Sequence, residues 1–130
     1  MVIMALFSAP AEARLPKDTD LSTLIEYEQL EYEIEADGTY SFVFSTRIAI
    51  LTEAGRESEA VKMIQYNARA STLEIVDART ILPDREIPVA KSNIEFKEVG
   101  DSKVFDAMKQ AIISFPSVEV GSKIFYKYRM

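Results

Sequence analysis

Leu30-Glu31-Tyr32-Glu33-Ile34-Glu35-Ala36-Asp37-Gly38-Thr39-Tyr40-Ser41-Phe42-Val43-Phe44 is the stretch on which the fold turns. Leu30, Tyr32 and Ile34 alternate with Glu31, Glu33 and Glu35, so an extended chain carries an apolar row on one side and carboxylates on the other. Beyond the turn, Tyr40, Phe42, Phe44, Ile48 and Ile50 share one parity and give the next strand a strongly apolar face. A two-residue loop at Asp37-Gly38 would set Ile34 opposite Ser41 and turn the aromatic residues towards the glutamates. A three-residue loop, Ala36-Asp37-Gly38 with Gly38 left-handed, instead sets Ile34 against Tyr40, Tyr32 against Phe42 and Leu30 against Phe44. The second register buries one common face, and it is the one expected.

Upstream, Ile25 and Tyr27 have the opposite parity to Leu30, which predicts a β-bulge near Glu28 and Gln29. Downstream, further strands are expected over residues 60–66, 73–82 and 87–89, with Pro83-Asp84-Arg85 as a turn. Pro88 cannot donate to a ladder and places the short third strand at an edge or a bulge. Val104, Phe105, Met108, Ala111, Ile112 and Phe115 recur at helical spacing, with Asp101 or Ser102 as a cap. A last strand over 123–129 shows Ile124, Tyr126 and Tyr128 on one face and Phe125 on the other. The four glycines Gly38, Gly55, Gly100 and Gly121 fall at breaks between these runs, where positive φ is most often required.

Three segments taken together carry a family resemblance. Phe115-Pro-Ser-Val-Glu-Val-Gly-Ser-Lys-Ile-Phe-Tyr-Lys-Tyr-Arg129 joins an apolar residue, a proline, a glycine turn and an aromatic strand in fixed order. Ala49-Ile-Leu-Thr-Glu-Ala-Gly55 and Leu73-Glu-Ile-Val-Asp-Ala-Arg79 precede it. Over residues 24–129 the chain resembles the domain of unknown function that precedes transglutaminase-like domains in bacterial envelope proteins. The resemblance implies a strand over 110–115 ending at Pro116 in place of the helix, so that a loop or short helical turn is expected over 102–109; it further implies a turn held by Gly121 and a glycine after Pro83-Asp84, where this chain has Arg85. It also implies a downstream transglutaminase-like domain in the same chain and an extracytoplasmic, periplasmic or envelope-associated setting.

The composition narrows the chemistry. A chain of 130 residues, 48% hydrophobic and 28% charged, fits one globular core. A net charge of −6 and a pI near 4.7 oppose binding to a phosphate backbone, so nucleic acid is not an expected partner. There is no Cys and no His, which removes thiolate and imidazole catalysis from this chain. No G-x-S-x-G, S-x-x-K, phosphate-binding loop or H-E-x-x-H pattern occurs. No cofactor or metal is expected; Asp18 and Asp20 suggest the start of a calcium loop, but Gln29 stands at its twelfth position and no glycine at its sixth.

At the start, Val2-Ile-Met-Ala-Leu-Phe7 is far shorter than the ~20 residues that span a bilayer. Ser8-Ala-Pro-Ala-Glu-Ala13 offers small residues at Ala11 and Ala13, the pattern of a secretory cleavage site. An uninformative apolar tail is the other reading, favoured by the absence of a basic residue ahead of the short run. Residues 1–13 are taken as a signal-peptide remnant, 14–23 as a leading loop and 24–130 as the domain.

The acidic row Glu26, Glu28, Glu31, Glu33 and Glu35 could supply paired carboxylates for glycoside hydrolysis, but alternation assigns much of it to a solvated outer face. Phe125, Tyr126 and Tyr128 form either a stacking platform for sugars or, more commonly, a buried ladder. Ser122-Lys123 puts an amine beside a hydroxyl, but in a turn from which neighbours diverge. The expected fold is an all-β, two-layer antiparallel β-sandwich of immunoglobulin-like type, with at most one short helical turn. Gly38, Gly55, Pro116 and Gly121 are its structural turns, and Phe125, Tyr126 and Tyr128 its docking face. The expected role is a non-catalytic accessory module, with an independent glycan- or peptide-binding sandwich as the alternative and a carboxylate hydrolase last.

Overall fold

A computed structural model describes the backbone of residues 2–7 and all of residues 21–99 and 107–130. Its elements are β1 (Val2–Phe7), β2 (Thr23–Ile34), β3 (Tyr40–Ile50), α1 (Glu53–Glu59), β4 (Val61–Asn67), β5 (Glu74–Ile81), β6 (Glu86–Pro88), a 3-10 turn (Lys91–Asn93), β7 (Ile94–Glu98), β8 (Met108–Ser114) and β9 (Lys123–Arg129). The strands form a six-stranded sheet in the order β1-β2-β3-β9-β5-β6 and a three-stranded sheet in the order β4-β8-β7. Every pairing among them is antiparallel. The all-β sandwich is therefore observed, divided six and three rather than in the more even split of immunoglobulin domains.

The β2–β3 hairpin has the expected register, with Leu30 opposite Phe44, Tyr32 opposite Phe42 and Ile34 opposite Tyr40. Its loop closes through Gly38 N–H to Glu35 O at 3.0 Å and Glu35 N–H to Thr39 O at 2.8 Å. Gly38 has φ +89, and the Asp37 carboxylate accepts from both the amide and the hydroxyl of Thr39. Because a side chain at that φ is strained whatever space surrounds it, Gly38→Val is expected to cost about 1 kcal/mol in urea melts. A neutral result would break the loop assignment.

The bulge is present but sits at Glu26, between Ile25 and Tyr27, two residues before the expected place. It returns Ile25 to the face of Ile48 and leaves Glu28 opposite Thr46. The acidic row is thus split: Glu31 and Glu33 face outward, whereas Glu28 faces the second sheet.

Helix α1 replaces the expected break at Gly55. Thr52 is in extended conformation and its hydroxyl accepts from Gly55 N–H at 3.2 Å, capping the first turn. Gly55 does not have positive φ; an added Cβ would lie 2.1 Å from the Ser22 carbonyl oxygen. Close approach, not left-handed geometry, requires glycine there. Gly121 does conform, with φ +92, in a turn closed by Ser122 N–H to Glu119 O at 3.0 Å. After Pro116 it is Ser117 that takes positive φ, at 53.

The core lies between the sheets. Ile48, Ala78, Ile113, Phe115 and Ile124 are buried together, and Ile64, Ile75, Val89, Ile94, Val118 and Tyr126 pack around them. Strand β9 is inserted between β3 and β5, so its even-numbered residues form the middle of the buried face. Pro88 is on β6, the edge of the large sheet, opposite Arg79. Strand β7 lay outside the expectation, and β8 begins at Met108. The helical reading of Val104 and Phe105, its cap at Asp101 or Ser102, Gly100, and the segments around Ala11, Ala13, Asp18 and Asp20 lie outside the described residues. Among the described residues, no helix is long and apolar enough to cross a membrane.

Candidate functional site

Strand β9 distributes its aromatic residues to both faces of the large sheet, so Phe125, Tyr126 and Tyr128 do not form one surface. Tyr126 and Tyr128 face inward, stacked on each other at 6.4 Å between ring centroids with 9° between planes. They are the middle of a longer array. Phe115 meets Tyr126 at 6.3 Å, Tyr126 meets Phe44 at 6.2 Å, and Phe44 meets Tyr128 at 5.3 Å. Tyr128 then meets Phe42 at 6.3 Å, Phe42 meets Tyr32 at 5.8 Å, and Tyr32 meets Tyr40 at 6.3 Å. The spacing and tilt are those of favourable ring pairs.

This array changes character along its length. Phe115 is buried, Phe42, Phe44 and Tyr32 are half-buried, and Tyr40 is 66% exposed. The exposed end opens into a groove of about 460 Å³ lined by Gly38, Thr39, Tyr40, Phe42, Ala70, Ser71 and Met130. Met130 lies in it because the last residue continues the β3 pairing, exchanging hydrogen bonds with Phe42 at 2.9 Å in each direction.

Burial raises the Tyr126 hydroxyl to about 12, and the neighbouring Tyr128, Glu59 and Glu28 add to the rise. Burial, then Glu28, also raises Tyr128. A phenol whose folded pKa exceeds its unfolded value of about 10 contributes fully below that value, and the contribution is lost as pH rises towards 12. Tyr126→Phe should therefore narrow its stability deficit against the wild type as pH climbs from about 9 to 12. Denaturant melts across that range check this; a constant difference would count against burial of the hydroxyl.

On the outer face Phe125 stands in a row with Tyr27, Arg47 and Arg79, in register across β2, β3, β9 and β5. Arg47 lies 5.2 Å from the Tyr27 ring centroid and Arg79 5.6 Å from that of Phe125, within cation–π range. Glu26, the bulge residue, takes Arg47 at 2.9 Å and Lys123 at 2.7 Å. Burial alone would raise its carboxyl, but Lys123 and Arg47 together outweigh that and hold it below the usual value. Arg79 pairs with Asp77 and with Glu86. With each guanidinium matched by carboxylate, this row braces the sheet. Ser122 is buried and donates to Glu119 O at 2.6 Å, while Lys123 turns outward to Glu26, so these neighbours do not form a catalytic pair. Among the described residues no group of three or more carboxylates is placed to hold a metal ion.

The sequence signalled Tyr126 and Tyr128 and, separately, the shared face of Tyr32, Tyr40, Phe42 and Phe44, but not that the two groups join each other and Phe115 in one array, which depends on β9 lying beside β3. The arginine–aromatic row was likewise hidden until cross-strand register was known.

Residues 36–130, running from the hairpin loop through β9, match the model of a family described as a domain of unknown function with a solved structure, DUF3857. The chain belongs to the DUF3857 family. In this DUF3857 chain the match takes in the whole small sheet and most of the large one, while β1 and β2 precede it. Among curated proteins nothing matches. A crystal structure of a Parabacteroides distasonis protein described as a "putative protease" is similar to the DUF3857 domain with a TM-score of 0.69 and 19% identity. The likeness covers 75% of this chain and 20% of that one; at this identity it is a likeness of fold. The chain thus spans about one fifth of that protein's length.

Proposed function

We propose that this DUF3857 domain is a non-catalytic accessory module that docks against, and positions substrate for, a transglutaminase-like domain following it in a longer protein. The observation that carries this reading is the half-covered aromatic array, which runs from the core to an open groove beside Tyr40 and Met130. Large half-exposed apolar surfaces of this kind mark interaction sites. The absence of Cys and His from the chain supports placing the chemistry of the whole protein outside this domain. An extracytoplasmic location is part of the proposal and is supported by the small-residue pattern at Ala11 and Ala13.

The test compares this domain with the longer protein. In the longer protein the amides of β9 and of the β2–β3 hairpin should exchange more slowly and the melting temperature should rise. Unchanged exchange and melting would favour the second reading, an independent glycan- or peptide-binding sandwich. The groove beside Tyr40 gives that reading its own support, since an exposed ring next to a concave surface is suited to stacking a sugar or a peptide side chain.

A further inference from the structure

Among the described residues, one side of the large sheet's inner face lacks a strand's width of cover. On the inner face of the large sheet, Thr46, Ile48 and Ile50 of β3, Ile124 of β9 and Ala78 and Thr80 of β5 are all buried. No inner-face residue of β2 is. Ile25 is 50% and Ile34 38% exposed, and Leu30 and Tyr32 are only half-buried. The small sheet is laid with β7 towards β5, since Ile94 and Phe96 share a groove with Ile75. Its other edge, β4, lies on the β3 side, the turn after it sharing a groove with Tyr40 and Met130. The overhang beyond β4 is therefore formed by β2, with β1 paired outside it.

The edge above that overhang offers open backbone groups. Phe115 N–H donates to Ala60 O at 2.9 Å and Ala68 N–H to Ala107 O at 2.8 Å, and the β4–β8 register is unbroken between them. Hydrogen-bonded pairs alternate along an antiparallel ladder, so Lys62, Ile64 and Tyr66 point their backbone groups to β8. Val61, Met63 and Gln65 point theirs away from the sheet. The strand has no proline and no bulge to blunt this edge.

We propose that β4 accepts one extended peptide strand from a separate chain, which adds a fourth strand to the small sheet and covers the inner face of β2. Two features define the occupant. Glu28 faces the slot and carries no ion pair among the described residues, whereas Glu59 is held by Lys62. The fitting peptide thus alternates apolar side chains towards β2 and carries one Lys or Arg among them opposite Glu28. A second copy of this domain does not fit. Antiparallel edge pairing puts the two-fold axis perpendicular to the sheet, which brings both large sheets to the same side and drives their overhanging β1–β2 pairs into one space. This inference does not rest on the docking reading, because it concerns the β4 edge rather than the groove at Met130.

The probe is a fluorescein-labelled, end-blocked peptide, Val-Thr-Val-Thr-Lys-Thr-Val-Thr-Val, whose palindromic sequence tests both strand directions. Binding by anisotropy is expected to weaken about tenfold when alternate amides of the peptide are N-methylated. Exchanging its Lys for Glu should also weaken it, and Glu28→Lys should invert that preference. Bound peptide should slow exchange of the Val61, Met63 and Gln65 amides. Met63→Pro removes only an outward N–H and should abolish binding with little change in melting temperature. No binding, binding indifferent to N-methylation, protection at another edge, or a concentration-dependent dimer formed through β4 would each overturn the proposal. The N-methylated peptide reads the wild-type protein, so the outcome does not depend on how Met63→Pro folds.

Discussion

Gly55→Ala is expected to destabilise the domain by about 3 kcal/mol and lower its melting midpoint by roughly 10 °C. The sign is the informative part. In an exposed helix the same exchange would stabilise by about 0.5–1 kcal/mol, because alanine gives up less backbone freedom on folding. Here the new Cβ would lie 2.1 Å from Ser22 O and 2.9 Å from its carbonyl carbon. That carbonyl cannot easily retreat, because it accepts from Leu51 N–H at 3.0 Å and from Thr52 N–H at 3.3 Å. Either those bonds are lost or α1 moves off β2, and moving α1 displaces the start of β4. Thermal melts of the two proteins decide it; an alanine variant as stable as wild type would mean that Ser22 and α1 do not approach as described.

Ile124→Ala is expected to cost about 3–4 kcal/mol, the transfer and cavity cost of a fully buried aliphatic side chain. Ile124 is wholly inaccessible and packs with Ile48, Ala78, Ile113 and Phe115. It is opposite Ile48 on one side and Thr80 on the other, so the cavity would open where both sheets meet and could collapse little. Against a total stability of about 5–15 kcal/mol for a domain, this variant sits close to unfolding. Its neighbour supplies the control. Phe125→Ala removes a larger side chain from the outer face and should cost about 1–2 kcal/mol, through lost ring and guanidinium contacts. Urea melts of both variants test the face assignment directly: equal losses would show that the two sides of β9 are not buried as unequally as the structure has them.

Much of the large sheet was legible because a parity argument has only two answers. Tyr40, Phe42 and Phe44 must share a face with Leu30, Tyr32 and Ile34, and one loop length satisfies this. The bulge was legible as a necessity but not as a position, since any extra residue between Ile25 and Leu30 restores parity; the ion pairs of Glu26 with Arg47 and Lys123 are tertiary. Helix α1 left almost no trace. Glu53–Glu59 has glycine where a capping-box glutamate would stand and no apolar stripe, and it forms because Thr52 caps it and Gly55 docks on Ser22. Strand β7 did carry a signal, Ile94 and Phe96 alternating with Glu95 and Lys97, but over too few residues to stand out beside the 3-10 turn. For β1 an apolar run serves equally as strand or as leader remnant, and composition does not separate them. The aromatic array was legible only in parts, because its members come together through pairing of segments far apart in the chain.

The insertion of β9 between β3 and β5 also governs the order in which the domain can form. The central ladder joins residues 43–49 to residues 123–129, so during synthesis β3 leaves the ribosome long before its partner exists. Until then the nascent β2–β3 hairpin presents an open aromatic flank and β5 has no neighbour on its inner side. Loop closure over such a span slows folding, and unpaired edges of this kind invite association with other chains. The large sheet can be completed only after translation has passed Arg129, which makes the interval before that moment the period in which a holding chaperone would have most to protect.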